Sequence, residues 1–231
     1  MKLSDRIGRI EASGTVHFTQ LIQQLRVQGR DIIDLAVGEP PYDTPAAVIA
    51  ATQQALDAGK TRYSPVAGLP ELKSRLARQF DGYDAYNIII SNGSKQCLYA
   101  MFQVICNPSD EVIIPRPFWV SFPEQVKLAG GCPVFVDTCN HQLDCEKIKR
   151  AITPKTRAIL INSPNNPTGQ MYSRETLAAL GTLLDRAGEN FCSTIYLISD
   201  EPYRKIVFDN VKVPSLFTAY QESLIGTSYS K

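Results

Sequence analysis

The stretch RAILINSPNNPTGQMYSRETLAALGTLLDRAGENFCSTIYLISD, residues 157 to 200, decides the fold. It opens on the apolar run RAILIN (157–162), turns through residues rich in Asn, Pro and Gly, and continues into SRETLAALGTLLDRAG (173–188), whose apolar residues recur at helical spacing. It closes on a second apolar run, STIYLISD (193–200). Continuous apolar runs of strand length on either side of a helix indicate strands buried on both faces, as in a βαβ unit.

The same alternation extends outward. DIIDLAV (31–37), NIIIS (87–91), EVIIP (111–115), CPVFVD (132–137) and ESLIGTS (222–228) read as further strands. TPAAVIAATQQALDAG (44–59), LPELKSRLARQF (69–80), SKQCLYAMFQVIC (94–106) and FPEQVKLAG (122–130) read as helices. Thr44 before Pro45, and Ser173 followed by Glu175, mark helix starts, while Gly59, Gly130 and Gly188 mark expected stops. The fold class is therefore α/β around a buried, mostly parallel sheet. The Pro-rich link GEPPYDTP (38–45) is the expected boundary between an N-terminal arm and the main domain.

Composition narrows the function. The chain has 231 residues, 44% of them hydrophobic, enough for a sizeable core. Lys and Arg number 24 against 23 Asp and Glu, a balance that gives no electrostatic footprint for nucleic acid or an anionic membrane. The N-terminal residues carry scattered charges rather than an uninterrupted apolar signal segment, and no apolar run approaches the roughly 20 residues a membrane span needs. A cytoplasmic location is expected. Six cysteines without a C-x-x-C pair, and only His17 and His141, predict reduced structural thiols and no metal site.

In an open parallel sheet, ligands bind beyond the carboxyl ends of the strands, so the residues that follow each run matter most. After NIIIS, Gly93, Ser94 and Lys95 open a helix expected to begin near Lys95, and unpaired backbone N–H groups there would suit a phosphate. The segment lacks both G-x-G-x-x-G and the P-loop pattern, and a plain glycine turn closing a β-to-α connection is the commoner reading. After RAILIN, Asn165, Asn166, Pro167 and Gly169 make a tight turn that also offers an amide to a ligand. After STIYLIS, Asp200 leaves an apolar strand as a carboxylate in need of a cation, with Tyr203 three residues on. After the last run stand Ser228 and Lys231; an isolated lysine at such a place is most often a solvated surface group.

One family joins these four. N-P-T-G (166–169), D-x-x-Y (200–203) and S-x-S-K (228–231), together with VGEPPYDTP, GKTRYSPVAGLPELK, SNGSKQCLY and PRPFWVSFPEQVKLAGG, stand in the order and approximate spacing of the pyridoxal phosphate enzymes of fold type I. The chain resembles the class I aminotransferases of the bacterial aspartate aminotransferase kind. The resemblance implies a three-layer αβα large domain over residues 42–231, preceded by an N-terminal arm and part of a small domain over 1–41. It implies pyridoxal 5'-phosphate as cofactor, amino acid and 2-oxo acid substrates, and a ping-pong transamination.

Residue by residue, it implies that Lys231 forms the internal aldimine and shuttles the proton at the substrate Cα. Asp200 would pair with the pyridine nitrogen and keep it protonated, and Tyr203 and Asn166 would hydrogen-bond the phenolic oxygen. Trp119 would stack on the ring. Gly93, Ser94 and Lys95, with Ser228, would hold the phosphate. Tyr63 would reach the phosphate of the neighbouring subunit, implying a homodimer with shared sites, and Gly38, Trp119 and Asn166 would contact the substrate. The family pattern runs on past its lysine, to a G-x-R-x-G arginine and a C-terminal small domain absent from these residues, so the large domain is expected to continue beyond 231. The same lysine and aspartate also serve carbon-sulfur β-lyases and related synthases, and an effector domain of a transcription regulator is a third, weaker expectation.

Overall fold

Five runs of residues pair side by side in the computed structural model, which describes residues 4–11, 14–35, 38–209, 211–216 and 218–231. They are β1 (Glu111–Arg116), β2 (Cys132–Asp137), β3 (Thr156–Asn162), β4 (Tyr196–Asp200) and β5 (Ser223–Gly226), all parallel, in the order β2-β1-β3-β4-β5. The helices are α1 (Gly14–Val27), α2 (Ala46–Asp57), α3 (Pro70–Ala77), α4 (Gly93–Ile105), α5 (Ser121–Leu128), α6 (Cys145–Ala151) and α7 (Arg174–Phe191). The chain divides into two compact units, Met1–Val37 with Asn92–Lys231, and Gly38–Ser91.

The first unit holds the sheet. Alternate strand residues point to opposite faces, and each face has its own core. Ile113, Ile159, Ile161 and Leu197 pack with Ile148 of α6 and Leu177, Leu180 and Leu184 of α7. Val112, Ile114, Ala158, Leu160 and Ile198 pack with Leu98 and Phe102 of α4 and Phe122 and Val126 of α5. The result is the expected helix–sheet–helix sandwich, and the sheet proves wholly parallel. Burial on both faces explains why these strands read as unbroken apolar runs.

Two expected strands are not formed. Residues 31–35 of DIIDLAV have no regular structure and are largely exposed, while Ala36 and Val37 lie outside the described residues. NIIIS gives a 3-10 turn at Ala85–Asn87, capped by Asp84, followed by extended backbone outside any ladder. Ile90 donates its N–H to the Ala67 carbonyl, and Ile89 is 75% exposed. Apolar, β-branched composition supplies the extended backbone, but a strand needs a neighbour, and among the described residues neither run is paired in a ladder.

Helix ends also differ. α4 starts at Gly93, two residues before expectation, because Gly93 takes a φ of +83° that a residue with a side chain rarely adopts. α7 runs through Gly188 to Phe191. Its buried stripe carries it past the glycine, and Cys192 in the left-handed conformation ends it, with Ser193 donating to the Gly188 carbonyl at 3.1 Å. At the other end of α7, Ser173 caps as expected, accepting from the Thr176 N–H. Thr44 does not cap α2, whose N-cap position is Pro45 and has no side-chain hydrogen bond. Helices α1 and α6 were not anticipated; α6 is capped by Asp144, which accepts from the Lys147 N–H at 3.0 Å.

The second unit contains α2, α3 and the 3-10 turn. Ile90 packs so closely over Gly68 that a Cβ there would meet its side chain. Tyr42, Tyr63, Val66 and Tyr86 are all more than 80% exposed.

Candidate active site

The carboxyl ends of β3, β4 and β5 form one row, with Asn162 beside Asp200 and Asp200 beside Gly226 in the ladder. β4 is apolar as far as Ile198, then delivers Ser199, Asp200 and Glu201, each at most 3% exposed. Burying polar groups without partners is unfavourable, so their partners reveal what the site is built around.

Asn162 holds the row together. Its carboxamide donates to the Asp200 main-chain oxygen at 2.8 Å and to Oδ2 at 3.4 Å. Its own oxygen accepts the Asn166 backbone N–H at 2.5 Å. Asn166 in turn donates through Nδ2 to the Tyr203 phenol at 3.3 Å. Asp200, Asn166 and Tyr203, singled out separately in the sequence, are thus linked in one hydrogen-bonded chain. The turn that presents Asn166 is fixed by Asn165, which accepts from the Thr168 hydroxyl at 2.9 Å and donates to the Pro117 carbonyl at 3.4 Å.

Asp200 Oδ1 is buried and has no hydrogen-bond partner. Loss of hydration, and secondly the neighbouring Glu201, push the Asp200 carboxyl up to about 7. Glu201 is also raised by burial, but Arg204 at 2.6 Å compensates its charge. The Tyr203 phenol is raised by burial and then by Asp200, against the lowering effect of Asn166.

The other expected residues of the first unit lie around the same end of the sheet. Lys95, in the first turn of α4, places its ammonium 4.8 Å from the centroid of the half-buried Trp119 ring, which follows β1. Trp119 stands edge-on to Phe122 at 5.4 Å. At the start of α4, which begins with Gly93 and Ser94, the Asn92 side chain makes no capping hydrogen bond, while Gln96 accepts from the Asn92 N–H at 2.6 Å. Past β5, the Ser228 hydroxyl lies 2.8 Å from that of Ser230, and Lys231 is exposed. Gly38 and Tyr63 belong to the second unit.

Two residues of this region escape a reading of the sequence. Asn162 looks like the end of an apolar run, and only the β3–β4 register shows what it touches. Gln125, 5% exposed on α5, donates to the Lys95 carbonyl at 2.8 Å and so ties α5 to the first turn of α4. A polar residue on the apolar face of FPEQVKL was the available signal.

Strand order departs in opposite directions from β1, and polar groups converge beyond the strands' carboxyl ends. These features define a doubly wound α/β protein, a fold in which ligands bind beyond the carboxyl ends of the strands. The profile of the family described as "Aminotransferase class I and II" matches residues 30–231. The aspartate aminotransferase of Geobacillus stearothermophilus is 41% identical over 224 residues, 94% of this chain and 56% of that protein. The aspartate/prephenate aminotransferase of Thermus thermophilus is 43% identical over 215 residues, 90% and 54% of the two chains. The structure of Thermus thermophilus aspartate aminotransferase with maleate superposes with a TM-score of 0.92 at 39% identity, covering all of this chain and 61% of that one. The chain belongs to the class I and II aminotransferases, and it spans little more than half the length of the curated relatives it matches. The family's aspartate aminotransferases are pyridoxal phosphate-dependent. Among the described residues, no helix is long and apolar enough to cross a membrane.

Proposed function

We propose that this chain carries the cofactor-binding part of a transaminase that moves an amino group between an aspartate-type amino acid and a 2-oxo acid in two half-reactions. The carrying observation is Asp200 Oδ1, a buried carboxylate oxygen without a partner at the crevice edge. Such an atom fits a protonated ring nitrogen, which would supply both the missing hydrogen bond and the missing positive charge. The donor set therefore suits pyridoxal phosphate.

Bound there, pyridoxal phosphate supplies an electron-withdrawing ring that acidifies the α-carbon of an attached amino acid. Asp200 holds the proton on the ring nitrogen, its own pKa falling as the cation arrives. Asn166 and Tyr203 donate toward the phenolic oxygen. Trp119 covers one face of the ring and excludes water from it. Gly93, Ser94 and Lys95 at the start of α4, with Ser228, hold the phosphate, where the helix dipole favours an anion. Lys231 would hold the cofactor and would carry the proton at the substrate Cα. Gly38 approaches the substrate through its backbone. Tyr63, which is fully exposed here, reaches the phosphate in a second copy of the chain, so the active form is a homodimer. Aspartate-type substrates are supported by the names of the relatives and by the dicarboxylate maleate in the Thermus structure. We also place the enzyme in the cytoplasm, where its six cysteines, none of them in a disulfide, would stay reduced.

Single-turnover loss of the bound cofactor's absorbance, at saturating cofactor and with an amino acid that reacts with the unmutated protein, tests this assignment. Asp200→Ala is expected to slow the step by orders of magnitude and Asp200→Glu to retain part of the rate. An Asp200→Ala protein as fast as the unmutated one would make Asp200 a structural group and remove the assignment.

A further inference from the structure

Asp200 could present either carboxylate oxygen to the crevice, and the structure shows why it presents one. Oδ2 accepts from Asn162, while Oδ1 is left open. The same carboxamide grips the Asp200 main-chain oxygen, so both the backbone and the side chain of Asp200 are held by one group. Its remaining oxygen takes the backbone N–H of Asn166, the residue that donates to Tyr203. Asn162 is 3% exposed and lies opposite Asp200 in the β3–β4 ladder, so its rotamer has little freedom.

We propose that Asn162 is a positioning residue of the reaction, fixing the carboxylate of Asp200 so that Oδ1 meets the ring nitrogen, and setting the distance from Asp200 to the Asn166–Tyr203 pair. The inference rests on the cofactor assignment made above for Asp200. A purely structural amide would only satisfy the strand end, and the Asp200 carbonyl already has a second donor in the Ser163 N–H at 3.4 Å. The bond to Oδ2 and the link to Asn166 are superfluous for that purpose. They act on Asp200, which would meet the ring nitrogen and keep it protonated as an electron sink, and on Asn166, which would donate toward the phenolic oxygen.

The charged and titratable groups near Asp200 are Glu201, paired with Arg204, and the Tyr203 phenol. β5 carries no titratable side chain, Arg157 on β3 lies at the other end of the strand against Asp110, and Lys95 of α4 is seated over Trp119. Asn162 is thus the neutral member of this set in direct contact with the Asp200 carboxylate, and replacing it changes orientation without changing charge.

The test uses purified protein carrying Asn162→Leu or Asn162→Ser, with Asp200→Asn in parallel. Three quantities are followed: the dissociation constant for pyridoxal phosphate, the pH midpoint of the bound cofactor's visible absorbance, and the circular dichroism spectrum. Loss of a hydrogen bond to a charged group predicts about tenfold weaker cofactor binding or more. The absorbance midpoint is expected to move by about one pH unit, with the circular dichroism unchanged. A folded Asn162 variant with native affinity and native midpoint overturns the inference, provided Asp200→Asn shifts both. If Asp200→Asn shifts neither, the assignment of Asp200 itself fails. The unmutated protein gives a reading independent of how the variants fold: the carboxamide proton resonances of Asn162 are expected to move on addition of pyridoxal phosphate, and unmoved resonances overturn the inference.

Discussion

A carboxyl group with an elevated pKa inside a fold leaves a signature in stability. Loss of hydration, and then the neighbouring Glu201, push the Asp200 carboxyl up to about 7 in the fold, from the 3.8 of a free aspartate. Between these values the folded state binds the proton and the unfolded state has lost it, so folding is favoured at the acid end and stability falls as pH rises through the window. The melting temperature of the cofactor-free protein is therefore expected to drop between about pH 5 and pH 7.5. Asp200→Asn, which cannot ionise, should lose this part of the slope. Differential scanning calorimetry of the two proteins across that range checks it, and equal slopes would contradict the burial argument. Asp200, Asn166 and Tyr203 are legible in the sequence because each follows a strand run, where a parallel sheet opens to ligands. Asn162 is not, because its partners come from a neighbouring strand whose register no local pattern encodes.

Elements read well where burial is two-sided and poorly where it is not. β1, β3 and β4 stand out because residues on both faces of each are buried against helices, whereas residues 31–35 and NIIIS have similar composition but belong to no ladder among the described residues. α1 went unread for a related reason: Val16, Phe18 and Leu21 are 40% exposed or more, so its apolar residues do not form a narrow buried stripe. α7 is the opposite case. Its buried residues Leu177, Leu180, Gly181, Leu184 and Ala187 recur at three- and four-residue spacing. Gly181 sits where the chain at Ala219 and Tyr220 crosses the helix, and a Cβ there would collide with the Ala219 carbonyl. Gly181→Ala, favourable for an isolated helix, should instead destabilise by about 1 to 3 kcal/mol, since the obstacle is backbone. Thermal melting checks this; an increase in melting temperature would mean that the Ala219 segment yields at little cost.

The molecule as a whole takes Asn166, Asp200 and Lys231 from three successive strand ends. On the proposed reading it takes Tyr63 from a second copy, which gives a test that no single chain can pass. An inactive Tyr63→Phe protein and an inactive Lys231→Ala protein should recover activity when co-assembled, because one site of the mixed dimer then holds both native groups. Lys231→Ala alone is expected to lose turnover while keeping some cofactor affinity. A verified heterodimer without recovered activity would argue that each site is complete within one chain. The position of β5 also bears on how the protein is made. Among the described residues it follows the other four strands in chain order and is bonded to β4. A nascent chain on the ribosome can therefore assemble β1 to β4, with Asp200 already in place, while Ser228 and Lys231 are still unsynthesised. On the proposed reading, Ser228 and Lys231 could help to hold a cofactor only once β5 has docked, so until then the growing chain relies for stability on the apolar cores that β1 to β4 have begun to form.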